Sequence, residues 1–164
     1  MNEMAGYLKS PIGLIEMTAN NDALISVKFI SDRVYKKEME KPVPEIIQIT
    51  KSQLGDYFEK KLKKFDIPLF VQGTKFQEEV WYEVRKIGFG CTKTYSEIAK
   101  SLGSVEKIRA VGNANSQNKL LIITPCHRVI GSDGSLIGYA GELWRKKWLL
   151  EHESYMKQLN LNFM

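Results

Sequence analysis

The chain has 164 residues, 43% of them hydrophobic, 26% charged and 10% aromatic, proportions that exclude a disordered or collagen-like polymer. Its apolar runs fall far short of the roughly 20 residues a membrane-spanning helix needs. Of the net charge of +5, residues 75–164 hold +4, and a basic half attracts polyanions, nucleic acid first.

The opening MNEMAGYLKS lacks the cationic, apolar, small-residue order of a secretory signal. Two cysteines, Cys91 and Cys126, cannot build a disulfide framework and are expected as reduced thiols of a cytoplasmic protein. Ile15, Met17 and Ala19 alternate with polar residues, Asn20-Asn21-Asp22 forms a turn, and Ala23, Ile25, Val27 and Phe29 alternate again, which predicts a β-hairpin. Residues 30–44 read as a charged loop ending at Pro42 and Pro44. Ile46, Ile47, Thr50, Leu54, Tyr57 and Phe58 recur at helical spacing over 45–59. Phe65, Ile67 and Leu69 then predict a short strand, with Pro68 placing it at a sheet edge.

A domain boundary is expected near 71–74, giving an N-terminal α/β scaffold over 1–72 and a mainly helical domain over 73–164. Thr74-Lys75-Phe76-Gln77 and Thr94-Tyr95-Ser96-Glu97 are capping boxes. The first opens a helix with Phe76, Val80, Trp81, Val84 and Ile87 on one face, closed by Gly88-Phe89-Gly90. The second opens a helix containing Ile98, Ala99 and Leu102, stopped by Gly103. Ser104 is expected to cap a further helix over about 105–115, completing a helix-turn-helix. That last helix carries the small residues Ala110, Gly112 and Ala114 and one arginine, Arg109. It suits close, sequence-indifferent docking better than base readout, which takes several long polar side chains; packing of the small residues against a neighbouring helix is the alternative. Asn113 and Asn115 are possible neutral phosphate contacts. Leu143 to about Glu153 reads as an amphipathic covering helix through Leu143, Trp144, Trp148, Leu149 and Leu150, and 154–164 as a loosely held tail.

The chemistry is expected at Leu120-Leu121-Ile122-Ile123-Thr124-Pro125-Cys126-His127-Arg128-Val129-Ile130. An apolar run reads as a buried strand delivering Cys126 at its end, with His127 and Arg128 next in line. A thiol becomes a nucleophile when deprotonated, and nearby basic or cationic groups promote that. Adjacent residues in extended chain point apart, so a bridging water is the expected path between Cys126 and His127, with a carboxylate to fix the imidazole tautomer. An inert core thiol is the plain alternative for Cys126. Cys91 has no matching ligand spacing, and no metal site is expected.

In Pro125-Cys126-His127-Arg128-Val129-Ile130, with Arg109-Ala110-Val111-Gly112, Asn118, Tyr95, Gly138-Tyr139-Ala140-Gly141 and Trp148-Leu149-Leu150 with Glu153, the chain resembles the O6-alkylguanine-DNA alkyltransferases, also called methylated-DNA–protein-cysteine methyltransferases. Tyr7 to Gly13 adds a weaker match. Lys119 and Gly88 stand where that family commonly has proline. The resemblance implies a ribonuclease-H-like small sheet with a helix, followed by a mainly α domain with a winged-helix-like helix-turn-helix. It implies that Cys126 accepts an alkyl group from O6 of guanine, irreversibly and once per molecule. His127 would deprotonate Cys126 through water, Glu153 orient the imidazole, Asn118 brace the turn and Tyr95 donate a proton to the departing base. Val129, Tyr139 and Ala140 would line the base pocket. Arg109, Ala110, Gly112, Ser96 and Ser132 would contact DNA, Arg109 filling the place of an extruded nucleotide. The implied partner is double-stranded DNA bearing O6-alkylguanine, met by a monomer with no cofactor, metal or membrane. A lesion-sensing DNA-binding protein without transfer and a turnover cysteine hydrolase are the competing classes.

Overall fold

The structure, a computed structural model, describes residues 2–36 and 41–154. Residues 155–164 of the expected tail and 37–40 of the expected loop lie outside them. Two compact units divide between Val71 and Gln72.

The first unit is a three-stranded antiparallel sheet in the order β1 (Met4–Ser10), β2 (Gly13–Ala19), β3 (Leu24–Ile30), with helix α1 (Glu45–Phe58). The hairpin is β2–β3, and Ile15, Met17, Ala19, Leu24 and Val27 are buried. The alternation expected at Ala23 and Ile25 is broken because the register shifts at Thr18/Ala19, where Ala19 pairs with Leu24 and Thr18 with Ser26, while Val27 and the half-buried Phe29 keep it. Ile25 is the extra residue of a bulge, and the residues before it change face. Strand β1 was not expected, since its buried position is Gly6 and carries no apolar signal. A side chain at Gly6 would collide with Ile47 of α1, so helix and sheet approach through the missing side chain. Gly6→Ala is expected to cost about 1–3 kcal/mol, read as a lower denaturant midpoint at unchanged slope. The strand expected at Phe65–Leu69 is only a bridge from Leu69 to Leu24. The Pro68 carbonyl accepts from Leu24 N–H and Phe70 N–H donates to the Leu24 carbonyl, both at 2.8 Å, so the sheet edge makes no demand on the N–H that proline lacks.

The second unit contains α2 (Lys75–Arg85), β4 (Lys93–Thr94), α3 (Tyr95–Ser101), α4 (Ile108–Ser116), β5 (Val129–Ile130) and α5 (Leu143–His152). Both capping boxes form, with Thr74 and Thr94 each accepting from the backbone three residues on and Gln77 and Glu97 reaching back. Trp81 of α2 donates its indole N–H to the Ala114 carbonyl of α4 at 2.8 Å, pinning the two helices through a buried contact. Gly103 adopts φ +101° after α3. Ser104 caps a separate 3₁₀ turn, Val105–Lys107, and α4 begins only at Ile108, later than the expected start. β4 and β5 pair in parallel, Lys93 with Val129 and Thr94 with Ile130, which ties the start of α3 to the chain just after Cys126.

The apolar run before Cys126 is buried as expected, but it is a turn and not a strand. Ile123 N–H donates to the Leu121 carbonyl at 2.8 Å across Ile122, which sits at φ +71°. That γ-turn is strained for a β-branched residue. Asn118 supplies what a strand ladder would have: its Oδ1 accepts from Leu120 N–H at 2.9 Å and its Nδ2 donates to the Thr124 carbonyl at 2.8 Å.

On α5, Leu149 and Leu150 are buried, but Leu143 and Trp144 stand 46% and 51% exposed while Lys146 is fully buried. The face turned inward is thus Lys146, Leu149, Leu150 and Glu153, a helical i, i+3, i+4, i+7 set. Among the described residues no helix is long and apolar enough to cross a membrane.

Candidate active site

Pro125 sits at φ −80°, ψ 63°, and Cys126 N–H donates to the Thr124 carbonyl at 2.8 Å. This inverse γ-turn uses the fixed φ of proline and launches a 3₁₀ turn, Cys126–Arg128. Cys126 is 2% exposed. Its Sγ accepts from Asn118 Nδ2 at 3.2 Å. Burial pushes the thiol up to about 11, against the opposing pull of the Asn118 amide and the Lys146 charge.

His127 and Glu153 are fully buried, with Nε2 2.8 Å from Oε1. Arg128 grips the same carboxylate in a fork, Nε to Oε2 and Nη2 to Oε1 at 2.9 Å each. Gly90 N–H adds a bond to Oε2 at 3.3 Å, and Gly90 holds φ +76° where any Cβ would lie 2.9 Å from the Glu153 carbonyl oxygen. Despite its burial, the Glu153 carboxyl is held well below the usual range by His127 first and then Arg128. An anionic Glu153 can only accept, so His127 carries its proton on Nε2. Nδ1 is left as a lone pair, buried and without a hydrogen-bond partner. Burial lowers the imidazole below its ordinary value more than Glu153 raises it, so it rests neutral.

A pocket of about 260 Å³ opens on Cys126 between α4 and the 137–140 loop, just under the roughly 300–1,000 Å³ common for drug-sized ligands and on the scale of one nucleobase. Tyr95, Tyr139, Ala140 and Gly112 line it, as do Ile108, Asn115 and Ile137. Val129 does not; it is buried in β5. Tyr95 donates its hydroxyl to the Ile137 carbonyl at 2.9 Å. Burial raises its phenol, the Asn115 amide opposing, so the proton is retained. Lys146 Nζ donates to the Ile137 and Gly138 carbonyls at 3.0 and 3.2 Å and approaches Tyr95 Oη at 3.4 Å. Burial brings this ammonium down to about 8.

The structure therefore gathers Cys126, His127, Glu153, Asn118, Tyr95, Tyr139, Ala140 and Gly112. Arg109 and Ala110 stand exposed on α4, Ser96 is half-buried on α3, and Ser132 is exposed in the turn after β5. Asn113 is exposed, but Asn115 is 5% exposed inside the pocket wall and is no phosphate contact. Two residues of the site carried no expected role in it, Arg128 on the carboxylate and Lys146 under the loop, and Asn115 was expected at phosphate instead. Arg128 is the one charge inside an otherwise uncharged buried run, and Lys146 shares helical spacing with Leu149, Leu150 and Glu153; both signals were present in the sequence.

Comparison with known proteins places these features in a family. Residues 4–71 match the model of the 6-O-methylguanine DNA methyltransferase ribonuclease-like domain, and residues 75–155 match that family's DNA binding domain. A methylated-DNA–protein-cysteine methyltransferase of Methanosarcina acetivorans is 43% identical over 150 residues, covering 88% of this chain and 94% of that protein. One from Mycobacterium leprae is 41% identical, with 90% of each covered. The crystal structure of the Mycobacterium tuberculosis O6-methylguanine methyltransferase superposes with a TM-score of 0.82 at 37% identity, covering 93% of both chains. A structure of the Mycobacterium tuberculosis protein in complex with DNA gives 0.81 at 36% identity, covering 93% of this chain and 92% of that one. Two family domains in order and relatives that span nearly the whole length leave one assignment: the chain belongs to the 6-O-methylguanine DNA methyltransferase family.

Proposed function

We propose that the protein repairs double-stranded DNA by moving the alkyl group of O6-alkylguanine onto its own Cys126. The observation that carries this reading is a buried thiol at a nucleobase-sized pocket, backed by a His127–Glu153 pair whose free nitrogen is a base. An O6-alkyl carbon is hidden within the duplex, so the base must leave the stack to meet Cys126. Nδ1 of His127 takes the thiol proton through a water, and Glu153 stabilises the imidazolium. The thiolate attacks the alkyl carbon, the C–O bond breaks, and its electron pair stays on O6. Tyr95 supplies a proton to the departing guanine, which makes it a better leaving group. The product is a thioether, which water does not readily cleave, so each molecule reacts once.

In this reading the α3–α4 helix-turn-helix, winged-helix-like, docks in the minor groove through Ala110 and Gly112. Arg109 fills the vacated stack, Ser96 and Ser132 hold the backbone, and Asn118 braces the turn. Residues 1–72, ribonuclease-H-like, serve as scaffold for the DNA-binding part, 73–164. The protein acts as a cytoplasmic monomer.

Intact mass after exposure to a duplex carrying O6-methylguanine tests the function. One methyl added at Cys126, in a stoichiometric burst, is expected; DNA bound with no mass gain would make the protein a lesion sensor. Arg109→Ala is expected to slow duplex repair about 10–100-fold while changing the reaction with free O6-benzylguanine less than about twofold, since only the duplex requires extrusion. Equal losses on both substrates remove the stack-filling role. The transfer rate should stay level as pH falls through 7 and decline only below the ordinary imidazole value of 6.5, because the folded His127 stays neutral until then. An acid limb centred above 7 contradicts that.

A further inference from the structure

Helix α1 ends in a turn that packs four lysines into five residues, Lys60-Lys61-Leu62-Lys63-Lys64. The chain reverses there. Lys60 N–H donates to the Tyr57 carbonyl at 3.0 Å and Lys61 N–H to the Asp56 carbonyl at 2.8 Å, the two closing bonds of a Schellman motif. The residue at its left-handed position is Lys60, at φ +60°. Helix α3 closes with the same two bonds, Gly103 N–H to the Lys100 carbonyl and Ser104 N–H to the Ala99 carbonyl, and there the left-handed residue is a glycine, at φ +101°. A side chain with a Cβ is disfavoured in that conformation. The end of α1 thus keeps a charge where backbone geometry favours glycine.

The charge of the first unit is uneven in the same place. Outside these five residues, positions 1–71 hold seven Lys/Arg against ten Asp/Glu, so the slight positive balance of the unit comes wholly from this turn. All four lysines are exposed. The acids nearest in sequence are Asp56, Glu59 and Asp66. Glu59 meets Lys61 at 2.5 Å with the two side chains 62% and 68% exposed, and an ion pair this open contributes little and exchanges readily for another anion. Duplex DNA carries a phosphate charge about every 1.7 Å of helix axis, so lysines crowded on one turn meet several phosphates where scattered ones meet one at most. We propose that the Lys60–Lys64 turn is a second DNA contact, its ammonium groups holding backbone phosphates other than those held by the α3–α4 helices. Residues 1–72 then take part in binding as well as serving as scaffold. The assignment rests on DNA as the partner and not on the transfer chemistry. Contacts to phosphate carry no preference for sequence or lesion.

Fluorescence anisotropy on a long undamaged duplex, over about 50–200 mM salt, tests this, since each phosphate contact adds about −0.9 to the slope of log K against log salt. The triple variant Lys60→Gly, Lys61→Gln, Lys64→Gln is expected to flatten that slope by about 2–3 and to weaken binding at least about tenfold at the low-salt end. Its denaturant midpoint should stay at or above that of the wild type, because glycine suits the left-handed position. A second triple variant spreads the same charge change over the unit, Lys28→Gln, Arg33→Gln, Lys51→Gln, and is expected to move the slope by less than about 1. Lysine acetylation with and without the duplex, read by peptide mass, should show Lys60, Lys61 and Lys64 protected and Lys28 reactive throughout. An unchanged slope in the first variant, equal flattening in both variants, or no protection of the three lysines overturns the proposal. A wild type whose affinity for the duplex does not fall with salt overturns DNA as the partner and this contact with it.

Discussion

Cys126→Ser is expected to lower alkyl transfer by about 10³-fold or more while leaving the fold and DNA affinity in place. The fold survives because the serine oxygen can accept the same Asn118 Nδ2 bond that Sγ receives at 3.2 Å, and serine is close in size. Transfer fails because the site manages proton removal even from a thiol only with help. Burial holds that thiol near 11, and Lys146 and the Asn118 amide offset part of the cost. A hydroxyl is a far weaker acid, and one neutral imidazole in a buried site does not make up the difference. Transfer of a radiolabelled methyl group to protein, beside fluorescence anisotropy on the same duplex, separates chemistry from binding. Transfer retained at the wild-type rate would place the acceptor elsewhere, with the exposed Cys91 first to be examined.

Local patterns were legible in the sequence and long-range ones were not. Thr74 with Gln77 and Thr94 with Glu97 are pairs three residues apart, and both form as capping boxes. Helix α1 follows its apolar spacing for the same reason. Strand β1 was missed because Gly6 gains its meaning only from Ile47, forty-one positions on. The 120–124 segment reads as a strand by composition, yet the Asn118 side chain takes over its backbone groups and bends it into a turn. Lys146 is not singled out by the sequence because its acceptors, the Ile137 and Gly138 carbonyls, come from a loop that has no pattern of its own. At the site, the Cys126–His127 pair and the distant Glu153 were readable through family motifs. The fork of Arg128 on that carboxylate and the unpaired Oδ1 of Asn115 required coordinates, because adjacency in sequence does not say which buried polar atoms lack partners.

Glu153→Ala is expected to be the most disruptive single change in the second unit, on stability and on rate together. The carboxylate accepts four donors, His127 Nε2, Arg128 Nε, Arg128 Nη2 and Gly90 N–H, so both oxygens are fully used. Removing it leaves the Arg128 guanidinium 5% exposed with only the Ile87 carbonyl, at 2.6 Å from Nη1, still accepting. An uncompensated buried charge of this kind costs about 3–5 kcal/mol. The imidazole also loses the acceptor that fixes its proton on Nε2, and loss of that orientation is expected to slow transfer about 10²–10⁴-fold where the protein remains folded. The pH dependence carries the same signature. Glu153 is depressed in the folded state, so its contribution is fully present above the ordinary carboxyl value and is lost as pH falls toward the folded one. His127 is depressed too, so stability begins to decline as pH drops below about 6.5, where the unfolded imidazole takes up a proton. Denaturant midpoints of wild type and Glu153→Ala from pH 8 to pH 2 measure both effects. The gap between the two proteins should stay wide down to about pH 4.5 and narrow only below it, as the carboxylate of the wild type gives up its advantage. A gap that does not change with pH would mean that the destabilisation comes from lost packing volume and not from the charge that Glu153 shares with Arg128.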